Sequence, residues 1–439
     1  MAAVPSSFTP RPTLLKFPSM SPTLLLYRVL LPIYVVVAFP AWLLKTARRG
    51  GFGSGLGERG SFYGEVLEFE PCAAVHVHAV SVGETLLAMK LIRAWRERDA
   101  AKVLVLAVGT ATGHAVAVEA KMEGVRVIYQ PVDFRFMVRR YLDRFQPSQM
   151  VLVEGEMWPN LMLECARRGV PIRLVNARMS PRSKRRYRKL AAWVRPIFSK
   201  LDWVAVQEPD DAEIWSELGV RQVKVTGSLK FDPGAGAPPA PRAEFVAMLD
   251  ACAAGRPVVL AASTHDGEEE LIGRAVREAG GFYLCVPRHA ERRAEVREAL
   301  ESAGFEVVLR SEFHPPVSPE SAALVVDSTG ELRDWTASAD VVVIGKSFLG
   351  IGGQNPAEAI LAGKSLIFGP HMENFEPLAT RLVGCGGAKR VADEAELLAV
   401  LRDLIGNPAG FIEETAAAKA VLEGHRGATG RILDLLDDE

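Results

Sequence analysis

The 439-residue sequence lacks the features that define several common protein classes. Its formal net charge is −1, which argues against a general nucleic-acid binder. The five cysteines are scattered with no pair at zinc-ligand spacing, so neither a disulfide framework nor a metal site is indicated. No repeat of fixed short period is present. The length predicts two or three domains of about 150 residues each.

A Walker phosphate-binding loop is missing too, although Gly345–Lys346–Ser347 resembles its end. That loop needs a glycine five residues before the Gly-Lys pair, and the sequence has Asp340 there, inside the strand-like run DVVVI. The following segment, GGQNPAE at 352–358, requires another explanation. GLGERG at 55–60 matches GxGxxG formally, but it follows an apolar run and not a strand, which argues against a dinucleotide site.

The N-terminal region contains one long apolar run, from Leu24 to Leu44. It just reaches the roughly 20 residues that a bilayer-spanning helix needs. Cations follow at once and mark the cytoplasmic side (Lys45, Arg48 and Arg49). We expect a disordered tail over 1–22 and a membrane anchor over 23–45, with the rest of the chain in the cytoplasm. A secretory signal is the alternative, but no convincing small-residue cleavage site is present.

Short apolar runs rich in β-branched residues alternate with helix-like segments through the rest of the chain, which predicts parallel sheets covered on both faces. Clustered Pro, Gly and Ala indicate a linker at 233–245. We expect an α/β protein with two Rossmann-like domains, at 46–232 and 246–415, a cleft between them and a C-terminal helix at 416–439. The predicted strands are 73–78, 103–108, 125–129, 150–154, 171–175, 203–206, 223–226, 257–261, 282–286, 306–309, 323–327, 340–344 and 365–368.

Candidate site residues follow these strands, because ligands on such sheets bind at the carboxyl ends of the strands and helix N-termini bind anions. Each candidate also has a structural interpretation. Ser81 and Gly83 would simply cap a helix that begins near Glu84, and Glu154 or Glu156 would serve as a helix-start charge. The basic run RSKRRYRKL at 182–190 is either a solvated face or a surface for anionic lipid headgroups.

Ten motifs taken in order resemble one family, the 3-deoxy-D-manno-octulosonic acid (Kdo) transferases of lipopolysaccharide synthesis. The resemblance implies a membrane-associated glycosyltransferase of the GT-B fold, with an N-terminal anchor at the cytoplasmic face of the bacterial inner membrane. It implies inverting transfer of Kdo from CMP-Kdo to the lipid A precursor (lipid IVA), with no metal or cofactor. The motifs are GLGERGSF, HAVSVGE, GTATG, EGEMWPN, NARMS, TGSLKFD, STHDGEEE, PRHAER, GGQNPAE and GPHMENF.

The resemblance also implies roles for individual residues. The family's catalytic base falls on Glu58, with Glu84 and Glu156 as alternatives or orienting groups. CMP leaves as an anionic phosphate ester, so the site needs hydrogen-bond donors and cations, and Glu358 would accept the ribose hydroxyls. The expected substrate- and donor-binding residues are Ser81, Gly83, Ser228, Lys230, Arg288, His289, Lys346, Gly352, Gly353, Asn355 and Glu358.

Two alternatives remain open at this point. One is a GT-B enzyme that uses another nucleotide sugar, such as a UDP-sugar, because nothing in the composition separates cytidine from uridine. The other is a non-catalytic, membrane-tethered protein that only binds a nucleotide sugar; the presence of Glu58 argues against it.

Overall fold

The structure is a computed structural model that describes residues 22–48, 55–64, 73–155, 157–232, 240–314, 322–407 and 412–438, with the backbone alone at 39 and 41–48. It divides into two compact units. The first contains the described residues up to Thr226 and those from Ile432 onward, and the second runs from Gly227 to Arg431. Residues 1–21 of the expected tail and 233–239 of the expected linker lie outside the described residues.

The first unit contains a seven-stranded sheet in the order β3-β2-β1-β4-β5-β6-β7, in which every paired strand is parallel. The chain leaves β1 on one side and returns as β4 on the other, which creates a topological switch point between them. The strands are β1 Val75–Ala79, β2 Leu104–Val108, β3 Val125–Tyr129, β4 Gln149–Val153, β5 Ile172–Ala177, β6 Trp203–Val206 and β7 Val223–Val225; the helices are α1 Pro22–Arg48, α2 Leu56–Arg59, α3 Val82–Arg98, α4 Ala111–Glu119, α5 Arg135–Phe145, α6 Pro159–Arg168, α7 Pro181–Lys189, α8 Ala191–Phe198 and α9 Pro209–Glu217.

The second unit also contains a parallel seven-stranded sheet, in the order β10-β11-β9-β8-β12-β13-β14, with its switch point between β8 and β12. Its strands are β8 Val258–Thr264, β9 Phe282–Pro287, β10 Glu306–Leu309, β11 Ala322–Val325, β12 Val341–Ile344, β13 Ser365–Phe368 and β14 Lys389–Arg390; its helices are α10 Ala243–Ala253, α11 Glu268–Glu278, α12 Arg293–Ser302, α13 Leu332–Ser338, α14 Ala357–Leu361, α15 Leu378–Gly384, α16 Glu394–Gly406 and α17 Ile412–Glu423, and α18 Ala428–Asp437 begins in this unit. Short 3-10 helices lie at Ala290–Arg292, Arg310–Glu312 and Glu373–Phe375.

The predicted α/β class with two parallel sheets is confirmed, and its physical reason is visible in the burial of the strands. Every residue of β1, β2 and β4 is buried, as expected for central parallel strands that helices cover on both faces. Edge strands are less covered: β7 keeps two of its three residues exposed.

The apolar N-terminal run does form a helix, α1, but the expected membrane-spanning anchor is not borne out. No helix among the described residues is long and apolar enough to cross a bilayer. Polar side chains near the start of α1 instead bind the first unit. Tyr27 Oη donates to Asp133 Oδ2 at 2.8 Å and Arg28 Nε donates to Asn160 Oδ1 at 2.8 Å, and Leu24 is buried.

The chain end differs from the expected single helix at 416–439. Two helices, α17 and α18, are separated by a turn in which Gly427 has φ +74°. The last turns of α18 belong to the first unit, where Trp95 Nε1 donates to Asp437 at 2.7 Å and Arg173 Nη1 donates to the Leu436 carbonyl at 3.1 Å. Such long-range contacts are not encoded in local sequence patterns.

Candidate active site

The short helix α2 presents Glu58 beside strand β3. The backbone amide of Tyr129 donates to Glu58 Oε2 at 2.7 Å, whereas Glu58 Oε1 has no hydrogen-bond partner among the residues that the structure describes. Gly55 opens the helix at φ +96°, and a Cβ there would lie 2.3 Å from the Tyr129 ring, so glycine permits this close approach. One carboxylate oxygen of Glu58 is therefore held in place by the backbone of β3.

Positive and aromatic groups surround Tyr129 and hold α2 in place. The Arg59 guanidinium lies 4.3 Å from the centre of the Tyr129 ring and donates to the Gly109 carbonyl at 2.7 Å. The His114 ring stacks on Tyr129 at 3.9 Å. Burial, and after it the charge of Arg59, lowers the pKa of His114. The helix that carries Glu58 is thus fixed by contacts to the carboxyl ends of β2 and β3.

Ser81 and Glu84 form a capping box at the start of α3. Ser81 Oγ accepts from the Glu84 amide at 3.2 Å and donates to Glu84 Oε1 at 2.9 Å. Glu84 Oε2 accepts from the Val80 amide at 2.8 Å. Both carboxylate oxygens of Glu84 therefore stabilise the helix end, as such boxes generally do, and Gly83 lies in the same first turn.

Asp133 plays a comparable part at the start of α6, and the sequence analysis did not single it out. It is 2% exposed, and its two oxygens accept from the amides of Asn160 at 2.9 Å and Leu161 at 2.8 Å. Burial raises the pKa of Asp133 to about 6, although these bonds and the one from Tyr27 oppose the rise. The position of Asp133 a few residues after β3 is the sequence feature that indicates a site residue there. Glu156, a predicted alternative base, lies outside the described residues.

In the second unit a carboxylate fills the loop that resembled a phosphate site. Glu268 is fully buried and accepts from the amides of Lys346 at 2.5 Å, Phe348 at 2.9 Å and His265 at 3.0 Å. Gly345 allows the two switch-point loops to touch, because a Cβ there would lie 2.5 Å from a backbone oxygen of β8. The backbone amides of the Gly-Lys-Ser loop thus bind the carboxylate of Glu268. Glu268 is the first of three consecutive acids after β8, and this run is the sequence feature that indicates it.

The glycine turn after this loop is also internally bonded. The Gly352 amide donates to Glu373 Oε2 at 2.8 Å, and the Gly353 amide donates to the Lys346 carbonyl at 2.9 Å. Asn355 Oδ1 accepts from the amide of Ala357, the first residue of α14, at 3.1 Å. The amides expected to meet a phosphate are therefore engaged within the second unit.

Glu358, in the first turn of α14, differs from these acids. Its Oε2 is buried and has no hydrogen-bond partner in the part of the chain that the structure describes. Burial is the main cause of a raised pKa of Glu358, with Arg333 opposing it. A buried carboxylate oxygen without a partner is costly, so it marks a place where a ligand donor would be favourable.

Cationic and imidazole groups gather at the ends of β8, β9 and β12. Arg288 and His289 are exposed directly after β9, and the ring centres of His289 and His265 are 6.4 Å apart. Burial, followed by the charge of Lys346, lowers the pKa of His265. Gln354 Nε2 lies 3.3 Å from His265 Nε2. His265 and Gln354 were not predicted site residues, although His265 lies in the STHDGEEE motif and Gln354 in the GGQNPAE motif.

Ser228 and Lys230 lie in the second unit and not, as the domain boundaries implied, in the first. Lys230 Nζ donates to the Asn374 carbonyl at 2.9 Å and lies 3.9 Å from the centre of the Phe375 ring. Ser228 is buried, and its amide donates to His425 Nδ1 at 3.1 Å. These contacts join the TGSLKFD and GPHMENF motifs. Within the described ranges no group of His, Cys, Asp or Glu could hold a metal ion.

The fold is shared with a solved glycosyltransferase. A solved glycosyltransferase from Rickettsia africae matches with a TM-score of 0.53 at 10% identity, over 83% of this chain and 98% of its own. At this identity the likeness shows the fold alone. The two parallel α/β units therefore have the GT-B fold.

The sequence relatives define the family. The profile described as 3-deoxy-D-manno-octulosonic-acid transferase (kdotransferase) matches residues 54–233. The 3-deoxy-D-manno-octulosonic acid transferase of Bordetella pertussis is 37% identical over 378 residues, 83% of this chain and 87% of its own, and that of Haemophilus influenzae is 31% identical over 393 residues, 87% and 90%. The chain belongs to the Kdo transferase family.

Proposed function

We propose that this protein transfers Kdo from CMP-Kdo to a hydroxyl group of the lipid A precursor, with inversion at the anomeric carbon. Family membership supports the sugar and the reaction type. The observation that carries the mechanism is the bonding of Glu58, whose one oxygen is held by a backbone amide while the other has no partner among the described residues.

Glu58 is the general base of this proposal. The acceptor hydroxyl gives its proton to Glu58 Oε1 while its oxygen forms a bond to the anomeric carbon of Kdo. The bond from that carbon to the phosphate oxygen breaks, and CMP leaves with the electron pair. A positioned base contributes roughly 100- to 10,000-fold. Glu84 is a poorer candidate, because both its oxygens already accept hydrogen bonds at the start of α3.

The second unit would bind the nucleotide. Exposed Arg288 and His289, with Lys346 nearby, can stabilise the charge that builds on the departing phosphate, and Lys230 contributes a further cation. Because the amides of Gly352 and Gly353 are engaged, we assign the phosphate contacts to these side chains.

Glu358 would bind the ribose of the nucleotide. Its buried oxygen without a partner can accept the ribose hydroxyls, which relieves the cost of burying that oxygen. Asn355, Gly352 and Gly353 then shape the turn that leads into α14.

The lipid acceptor requires that the protein work at a membrane, and we place it at the cytoplasmic face of the bacterial inner membrane. Helix α7 exposes basic side chains that suit anionic headgroups, and Leu190 and Trp193 next to it are 43% and 48% exposed. The basic residues are Arg182, Arg185, Arg186 and Lys189.

The test is incubation of the purified full-length chain with freshly generated CMP-Kdo and lipid A precursor, followed by mass spectrometry of the lipid. A mass increase of one or more Kdo units is expected. An unchanged lipid would contradict the proposal.

Thermal melts with CMP and UMP show which nucleotide the protein binds, because a bound ligand raises the apparent stability. A larger increase in melting temperature with UMP than with CMP would favour a UDP-sugar donor instead.

A further inference from the structure

Helix α5 exposes an arginine-rich face that the proposed mechanism does not use. Its inner side is buried in the core of the first unit through Val138, Tyr141, Leu142 and Phe145. On its outer side lies an open cavity of about 610 Å³, lined by Phe136, Arg139, Arg140, Asp143 and Arg144. This volume lies within the range of small-molecule sites.

The cavity has unbalanced positive charge. Arg139 and Arg140 are exposed and form no ion pair with any residue that the structure describes. The cavity's carboxylate, Asp143, already accepts from Arg168 at 2.7 Å. Arg144 donates to the carbonyl of Tyr63 at 2.7 Å. The two guanidinium groups thus remain available to an anion.

The cavity is joined to the turn that carries the proposed base. Ser61 Oγ donates to the Met137 carbonyl on α5 at 2.8 Å. The Arg140 guanidinium lies 4.3 Å from the centre of the Phe62 ring, and the Phe62 amide donates to the Gly57 carbonyl at 2.8 Å. Phe62 therefore links the cavity to Gly57, the residue next to Glu58.

We infer that Arg139 and Arg140 bind a phosphate monoester carried by the glycolipid acceptor; this rests on the proposed function. Guanidinium groups offer paired donors that match phosphate oxygens. The Phe62 ring orients Arg140 by a cation–π contact, so less side-chain freedom is lost on binding. A phosphate held here fixes the acceptor headgroup beside the turn of Glu58, which makes the arginines positioning residues for the attacking hydroxyl.

The kinetic test compares the wild type with the double variant R139Q/R140Q on phosphorylated and dephosphorylated acceptor. Loss of two charge-assisted contacts should raise KM for the phosphorylated acceptor about 10- to 100-fold, with KM for CMP-Kdo and the melting temperature unchanged. On dephosphorylated acceptor the variant and the wild type should be equal. An equal loss on both acceptors, or no loss, overturns the inference. The matched control is R93Q, an exposed arginine on α3 with no ion pair among the described residues.

Two binding measurements separate the other outcomes. Calorimetry with a phosphorylated glucosamine disaccharide that lacks acyl chains does not depend on transfer. Binding by the wild type and not by the variant supports the phosphate site even if no Kdo is transferred. The absence of transfer would refute only the proposed function, whereas equal binding by the two proteins refutes the site.

Sedimentation with phosphatidylglycerol or phosphatidylcholine vesicles tests whether the arginines bind bulk lipid. We expect no difference between the variant and the wild type, and a loss confined to the anionic vesicles, with KM for the acceptor unchanged, would assign the arginines to phospholipid and overturn the inference.

Discussion

The two units use the same parallel seven-stranded design, but each contains two kinds of acid at its strand ends. In the first unit both oxygens of Glu84 are bonded at a helix start, whereas one oxygen of Glu58 has no partner among the described residues. In the second, Glu268 fills a loop of backbone amides, whereas Glu358 has a buried oxygen with no partner in the described part of this unit. Position after a strand therefore does not separate the two kinds of acid, whereas their hydrogen bonds do.

The largest expected effect comes from Glu58→Gln. The amide side chain cannot accept the proton of the attacking hydroxyl, so kcat for Kdo transfer should fall about 100- to 10,000-fold. CMP binding, measured by calorimetry, should be unchanged, because the nucleotide is assigned to the other unit. The matched control is Glu396→Gln, which alters a capping acid on α16. Transfer at the wild-type rate by Glu58→Gln would refute the assignment of Glu58 as the general base.

Glu358→Gln should weaken CMP binding by about 10- to 100-fold, because it removes a charged acceptor for the ribose hydroxyls. Since burial already disfavours the charge of Glu358, the free energy of unfolding should not decrease. Calorimetry with CMP and a urea melt check the two parts.

Glu268→Gln sharpens the contrast within the second unit. Its four amide contacts are structural, so we expect a loss of about 1–3 kcal/mol in the free energy of unfolding. Unchanged stability would contradict the role given to Glu268, and a stability loss in Glu358→Gln as large as this would erase the distinction between the two acids.

The pH dependence of stability should have opposite sign in the two units. Burial raises the pKa of Asp133 from 3.8 to about 6, so unfolding releases its proton between these values and the first unit loses stability as the pH rises through them, by roughly 2–3 kcal/mol. Burial lowers the pKa of His425 from 6.5 to about 4, so the second unit loses stability as the pH falls through that window.

Hydrogen exchange of each unit between pH 4 and 7 measures these slopes, after correction for intrinsic exchange rates. The Asp133→Asn variant should flatten the slope of the first unit and His425→Asn that of the second. Slopes of the same sign in both units, or slopes that the substitutions leave intact, would refute the assignment.

The smallest effect is expected for Glu84→Gln. The variant weakens a capping box and should cost about 1 kcal/mol in a thermal or urea melt, while the rate of transfer by the folded protein stays close to the wild type. A fall in kcat comparable to that of Glu58→Gln would make Glu84 part of the chemistry.

The sequence predicts the strands well because their signal is local. WVAV and SLIF, for instance, form β6 and β13 with the expected ends. It does not predict the bonding of Glu268 or Asp133, because their partners are backbone amides that only tertiary structure brings together. The capping of α3 by Ser81 was readable, since a capping box is local. The apolar run of α1 predicts a helix, but hydropathy does not register the hydrogen bonds of Tyr27 to Asp133 and of Arg28 to Asn160 on α6.

The division of work between the two units is tested most directly by steady-state kinetics of Glu58→Gln and Glu358→Gln, measured side by side with CMP-Kdo as the varied substrate. We expect Glu58→Gln to lower kcat and leave KM for CMP-Kdo unchanged. Glu358→Gln should raise that KM and approach the wild-type kcat at saturation. If both variants change the same parameter, the assignment of the base to the first unit and of the nucleotide to the second is wrong.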